Sequence, residues 1–146
     1  MARSLKRAIQ LQLDQLVAEA ERLVAREEFV AAWAKYGEAM DLLPNPKEQW
    51  EAATWLLVAM GDVRIVAKQD YGKALKAFEA AVQCPAGLGN AFIHLRLGQC
   101  YFELGDRTRA SDELTRAFMA GGREVFEDQD PKYIEFLGTI LKPARD

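Results

Sequence analysis

The chain has little of what most chemistry needs. It holds two cysteines, Cys84 and Cys100, and one histidine, His94, in 146 residues. So few ligating side chains exclude a disulfide framework and a closed zinc site built from Cys and His alone. Both thiols are expected to be small, free, buried side chains in a reducing compartment. Long apolar runs are missing as well. The longest, Trp55 to Met60, is far shorter than the roughly 20 residues that a membrane-spanning helix requires. The opening residues carry Arg3, Lys6 and Arg7 and pass into Gln10, Gln12, Asp14 and Gln15 with no unbroken apolar core. An export signal is therefore not expected, and the cytoplasm is the expected location. Positive charge is not in excess: 19 Lys and Arg against 22 Asp and Glu give a formal charge of -3. Neutralising phosphates takes a basic surface, so neither nucleic acid nor a membrane is an expected partner. No GxxxxGK[ST] loop is present, and Gly87-Leu88-Gly89 lacks the third glycine of a dinucleotide fingerprint. A turn is the simpler reading of that segment. No cofactor and no metal are expected.

What the chain does have is helical periodicity. Half of its residues are hydrophobic and 28% are charged, a balance that folds rather than stays disordered. Apolar residues recur at spacings of three and four in six stretches. Leu13, Leu16, Val17, Ala20, Leu23 and Val24 form the first stripe; Phe29, Ala32, Trp33, Tyr36, Ala39 and Met40 form the second. Trp55, Val58, Ala59, Val63 and Val66 form a third, and Leu75, Phe78, Ala81 and Val82 a fourth. Leu97, Cys100, Tyr101 and Leu104 form a fifth, and Ala110, Leu114, Ala117 and Phe118 a sixth. Breakers fall between them, at Pro44-Asn45-Pro46, Pro85, Gly105-Asp106 and Gly121-Gly122. Asp130-Pro131 reads as an N-cap and first-turn proline, opening a seventh helix over about 131–141. Gly138 weakens that helix by up to ~1 kcal/mol.

The helices repeat in pairs. Ala110 and Ala117 stand seven apart with Leu114 between them. The same arrangement occurs 36 residues earlier at Ala74, Phe78 and Ala81, and 42 residues before that at Ala32, Tyr36 and Ala39. Gly98 and Gly61 lie inside the helices preceding two of these copies. Small residues at a crossing let two helix backbones approach closely, and a period in the mid-thirties points to stacked helical hairpins.

These residues resemble the tetratricopeptide repeat family. The match is fullest over Ala91–Gly122, where Leu97-Gly98, Tyr101, Gly105-Asp106, Ala110, Leu114 and Ala117 follow the pattern. His94 stands where the family often has Trp, and Gly122 replaces the usual proline. A second copy runs through Gly61, Tyr71, Ala74, Phe78, Ala81 and Pro85, with one extra residue between Gly61 and Ala74. The first copy keeps Phe29, Ala32, Tyr36, Ala39 and Pro44 and lacks the Leu-Gly pair, as a capping repeat would. The resemblance implies an all-α, right-handed helix-turn-helix solenoid in a single domain. Its repeats would span about 13–46, 53–85 and 91–122, with a C-terminal capping helix.

Catalytic constellations are weak. His94 is the one imidazole, and its place in the pattern is a packing position. Six residues separate it from Cys100, which leaves the two side chains ~120° apart around a helix. The acidic group Glu127, Asp128 and Asp130 lacks a calcium-loop spacing; it reads as a solvated loop, with a docking surface as the alternative.

Recognition of a protein or peptide remains. Stacked pairs of this family bind along the face made by their first helices. The resemblance places Phe92, Leu95, Arg96, Gln99, Phe102 and Glu103 on that face in the last repeat. It places Trp55, Val58, Ala59 and Asp62 there in the middle one. An open groove and a groove filled by the terminal helix are both compatible with the sequence. Only Arg96 fits a clamp for acidic C-terminal peptides, so a chaperone-tail receptor is disfavoured. Two roles stand. One is a bacterial immunity protein neutralising a partner toxin, which similar small repeat proteins are; the residues that carry this are 87–100 and 126–133. The other is a secretion chaperone holding an extended segment. An enzyme using His94 or the acidic group Glu127, Asp128 and Asp130 is a lower third. A homodimer is compatible with an uncapped apolar end.

Overall fold

The computed structural model describes residues 4–141. Among them are seven α-helices and no strand, the class that the apolar spacing predicts. They are α1 (Arg7–Ala25), α2 (Phe29–Leu42), α3 (Glu51–Lys68), α4 (Tyr71–Val82), α5 (Ala91–Glu103), α6 (Arg107–Gly121) and α7 (Pro131–Ile140). Short 3-10 turns at Lys47–Gln49 and Arg123–Phe126 lead into α3 and towards α7. Length alone suggests one domain. By its contacts the chain divides into two compact units, Met1–Gly87 and Leu88–Asp146.

The first unit holds α1 to α4. The helix α1 starts at Arg7, six residues before the first repeat was expected to open. The pairs α1–α2 and α3–α4 pack most closely, and α2 also meets α3. Ala32, Ala39, Ala74 and Ala81 are all fully buried, and Tyr36 and Phe78 between them are buried too. Gly61 explains why the crossing needs a small residue: a Cβ there would lie 2.6 Å from two ring atoms of Phe78. The extra residue after Gly61 is absorbed at the end of the helix, since α3 runs to Lys68 and only Gln69 and Asp70 precede α4. In α1 the fully buried Ala20 joins Tyr36 in one core cluster, with Leu43, Trp50 and Leu56. Ala20 thus stands where the sequence shows no glycine.

The second unit holds α5 to α7, with α5 at its centre. Ile93, His94, Leu95, Leu97, Gly98, Gln99 and Cys100 are all buried, so α5 is covered nearly all round. Gly98 meets Leu114 as Gly61 meets Phe78: a Cβ there would lie 2.6 Å from Leu114 Cγ and 3.1 Å from its backbone nitrogen. A second cluster joins Leu95, Leu114 and Ala117 to Phe126, Tyr133 and Leu137 of the C-terminal segment.

Caps and turns set the helix ends. Asp70, Asp106 and Asp130 accept from the backbone N–H groups of Lys73, Arg109 and Lys132, and Asn90 accepts from Phe92 and Ile93. Each cap contributes about 1 kcal/mol. Asp130 with Pro131 starts α7 as the sequence predicts. Each turn inside a pair contains one left-handed residue: Glu27 (φ 59°), Gln69 (φ 51°) and Gly105 (φ 86°).

Candidate functional site

The open concavity of the first unit lies between α1 and α3, with Tyr36 of α2 at its floor; its volume is about 630 Å³. From α1 it is lined by Leu13, Asp14, Val17, Ala18 and Glu21, with Gln10 at one end. These positions follow helical spacing and form one face. From α3 come Glu51, Ala52, Trp55, Leu56 and Ala59, again one face. Trp55 is 42% exposed although its ring is large and apolar. Gln10 Nε2 donates to Asp14 at 2.8 Å. Burial raises the Tyr36 phenol above its ordinary range, and the carboxylates of Glu21 and Asp62 push the same way. A smaller hollow of about 130 Å³ lies by Trp33, where the Arg64 guanidinium stacks 3.9 Å from the ring centroid.

The predicted groove residues therefore separate into two cases. In the first unit, Trp55 and Ala59 line the concavity, whereas Val58 is buried and does not. Asp62 is half-buried and contributes to the field on Tyr36. In the second unit, the α5 residues do not line an open groove, because the chain's own C-terminal segment occupies their face. Leu95 is fully buried and Gln99 nearly so. Gln129 accepts from Arg96 at 3.0 Å and from Gln99 at 2.8 Å, and Arg96 also donates to Gln99 at 2.8 Å. Glu103 accepts from the Tyr133 hydroxyl and pairs with Lys132, both at 2.8 Å. Phe102 packs edge-on to Tyr133 and Phe136, with ring centroids 5.4 and 5.2 Å away, and Arg107 stacks on it at 3.8 Å. Phe92 carries the Arg96 guanidinium 4.5 Å from its ring centroid. The physical reason is simple: Tyr133, Phe136 and Leu137 give α7 an apolar face, and α5 offers it rings and partners for its polar rim. Of the two arrangements that the sequence left open, the filled one holds in this unit.

His94 is structural in its bonding. It is 2% exposed, Gly89 N–H donates to its Nε2 at 2.9 Å, and its Nδ1 lies 2.6 Å from Glu113 Oε2. With Nε2 accepting, the ring proton sits on Nδ1 and is donated to the carboxylate. Both nitrogens are engaged, and the contact pins the turn before α5 onto α6. The Gly87-Leu88-Gly89 segment is the turn that was expected, and Gly89 adopts φ 82°. A Cβ on Gly87 would lie 2.2 Å from the Ala81 carbonyl oxygen, so only glycine fits there. Cys84 and Cys100 are buried and form no disulfide, as expected.

Glu127, Asp128 and Asp130 are exposed, and Asp130 is the α7 cap. Gln129 in the same stretch, which the charge pattern hides, is the residue that ties this loop to α5. Among the described residues no group of three or more His, Cys, Asp or Glu is placed to hold a metal ion. No helix among them is long and apolar enough to cross a membrane. No protein-family model and no curated protein matches the chain.

Proposed function

We propose that this protein is a non-enzymatic protein-interaction module built from tetratricopeptide-like helix pairs, and that it binds its partner in the concavity between α1 and α3. The observation that carries this reading is Trp55. It is a large aromatic ring left 42% exposed beside a hollow of about 630 Å³, in a unit whose other tryptophans are more covered. Half-exposed aromatic anchors beside a groove are what binding energy concentrates on. The role favoured is that of a bacterial immunity protein, which binds a partner toxin and abolishes its activity. The alternative is a secretion chaperone, holding an extended segment of a secreted protein in the same groove.

The test uses tagged wild type and Trp55→Ala side by side as bait in the native host. A protein retained by wild type and lost with Trp55→Ala is then expressed alone and together with each bait. The immunity role predicts growth arrest that wild type relieves and Trp55→Ala does not. A retained protein that is harmless, but insoluble without the bait, supports the chaperone. Identical eluates from both baits would overturn the placement of the site.

A further inference from the structure

The walls of the α1–α3 concavity carry charge of one sign. Asp14 and Glu21 project from the same face of α1, and Glu51 opens α3 opposite them. All three are exposed. Among the described residues no lysine or arginine lines the concavity, and Glu21 and Glu51 take part in no ion pair. Arg7 lines an adjoining hollow of about 420 Å³ together with Glu51. Beneath the carboxylates the floor is apolar, made by Leu13, Val17 and Leu56. Negative groups around a low-dielectric floor focus their field into the cleft, and the face of an exposed tryptophan attracts cations in addition. Burial is the main cause that holds the Tyr36 phenol protonated at the floor, and the nearby carboxylates of Glu21 and Asp62 add to it. On α1 the concavity runs from Gln10 to Glu21, about 16 Å of helix. That length matches three turns of a second helix or about five extended residues.

Resting on the binding role proposed above, we infer that the occupant is a cationic segment of a partner protein. It presents lysine or arginine to Asp14, Glu21 and Glu51 and an apolar side chain to Trp55 and Leu56. Charge complementarity of this kind raises the association rate and excludes acidic competitors, while the apolar contact supplies the retention.

The probe is a set of labelled synthetic peptides, about 15 residues or four helical turns long. All share the same apolar positions, and their polar positions carry Lys and Arg, Gln, or Glu. Fluorescence anisotropy follows their binding to wild type, to Trp55→Ala, and to the double variant Asp14→Asn with Glu51→Gln. A further double variant, Glu79→Gln with Asp112→Asn, removes two exposed carboxylates outside the concavity. The cationic series is expected to bind at least about tenfold more tightly than the Gln series, and the Glu series not to bind. Neutralising Asp14 and Glu51 weakens the cationic series by about tenfold, as two partly screened pairs would. The Glu79 and Asp112 variant binds like wild type. Trp55-dependent binding of the Gln or Glu series, as tight as the cationic one, overturns the cationic occupant and leaves the groove standing. Cationic binding that ignores both Trp55 and the groove acids overturns the inference as a diffuse surface effect. Absence of any Trp55-dependent binding overturns the inference and the proposed function together.

Discussion

Replacing Gly98 by alanine sets two effects against each other. In a helix interior alanine is favoured over glycine by about 1 kcal/mol. At Gly98, however, the new Cβ would lie 2.6 Å from Cγ and Cδ2 of Leu114 and 3.1 Å from the Leu114 nitrogen. Cγ is the branch point of a side chain with no exposed surface, and a backbone nitrogen cannot rotate away. Only separation of α5 from α6 relieves the contact, and such overpacking costs roughly 1–3 kcal/mol. The net expectation is a loss of up to about 2 kcal/mol. Gly37 is the control, because a Cβ there meets nothing within 4 Å. Gly37→Ala should therefore gain up to about 1 kcal/mol. Urea unfolding followed by circular dichroism reads both midpoints. Opposite shifts are the expected result. A Gly98→Ala protein stabilised as much as Gly37→Ala would refute the close crossing and the role given to the small residues.

Other outcomes follow from the same contacts. Phe102→Ala removes the ring on which Tyr133 and Phe136 pack. It should cost about 1–3 kcal/mol for a half-buried ring and speed amide exchange in α7; exchange unchanged there would place α7 on other contacts. Gln129→Ala deprives the buried Gln99 amide of its acceptor. The expected loss is about 1–3 kcal/mol, read by thermal melting against Asp128→Ala as an exposed control. Tyr36 holds its phenol proton to higher pH in the folded chain than in the unfolded one. The stability involved is complete below pH ~10, where unfolded tyrosine titrates, and is lost as pH rises through the folded value. Tyr36→Phe should make that alkaline loss shallower in melts across the range. Burial, with Glu48 as the lesser cause, pushes the Cys84 thiol up. A thiol reagent at neutral pH should label Cys84 in urea and leave it unlabelled in the folded protein.

The sequence was legible where one residue type has one physical use. The alanine pairs around Tyr36, Phe78 and Leu114, and the glycines at 61 and 98, predicted the helix crossings, and each of these residues is buried. Asp130-Pro131 likewise announced α7. The turns were harder, because Glu27 and Gln69 take the left-handed conformation that Gly105 advertises. Ala20 was hidden for a similar reason: alanine is common in helices and marks a crossing only beside its neighbours. The site was half legible. Trp55 stands out by its type, and so do the rings of α5, yet whether the α5 rings stay open depends on where α7 docks. That depends on Gln129, Tyr133 and Phe136, which read locally as a polar loop and an ordinary amphipathic helix. Asp14 and Glu21 carry no signal in the sequence, because exposed carboxylates on a helix face are usually only solvated. Their meaning comes from Glu51 across the concavity.

The central claim is that Trp55, and not the covered face of α5, meets the partner. Its most direct test is the partner's affinity for Trp55→Ala and for Phe102→Ala, measured by calorimetry beside the melting temperature of each variant. Trp55→Ala is expected to melt like wild type and to bind at least about thirtyfold more weakly, a loss of about 2 kcal/mol. Phe102→Ala melts lower, and at a temperature where it remains folded it binds as wild type does. A Trp55→Ala protein that keeps full affinity, with the loss falling on Phe102→Ala instead, would contradict the claim.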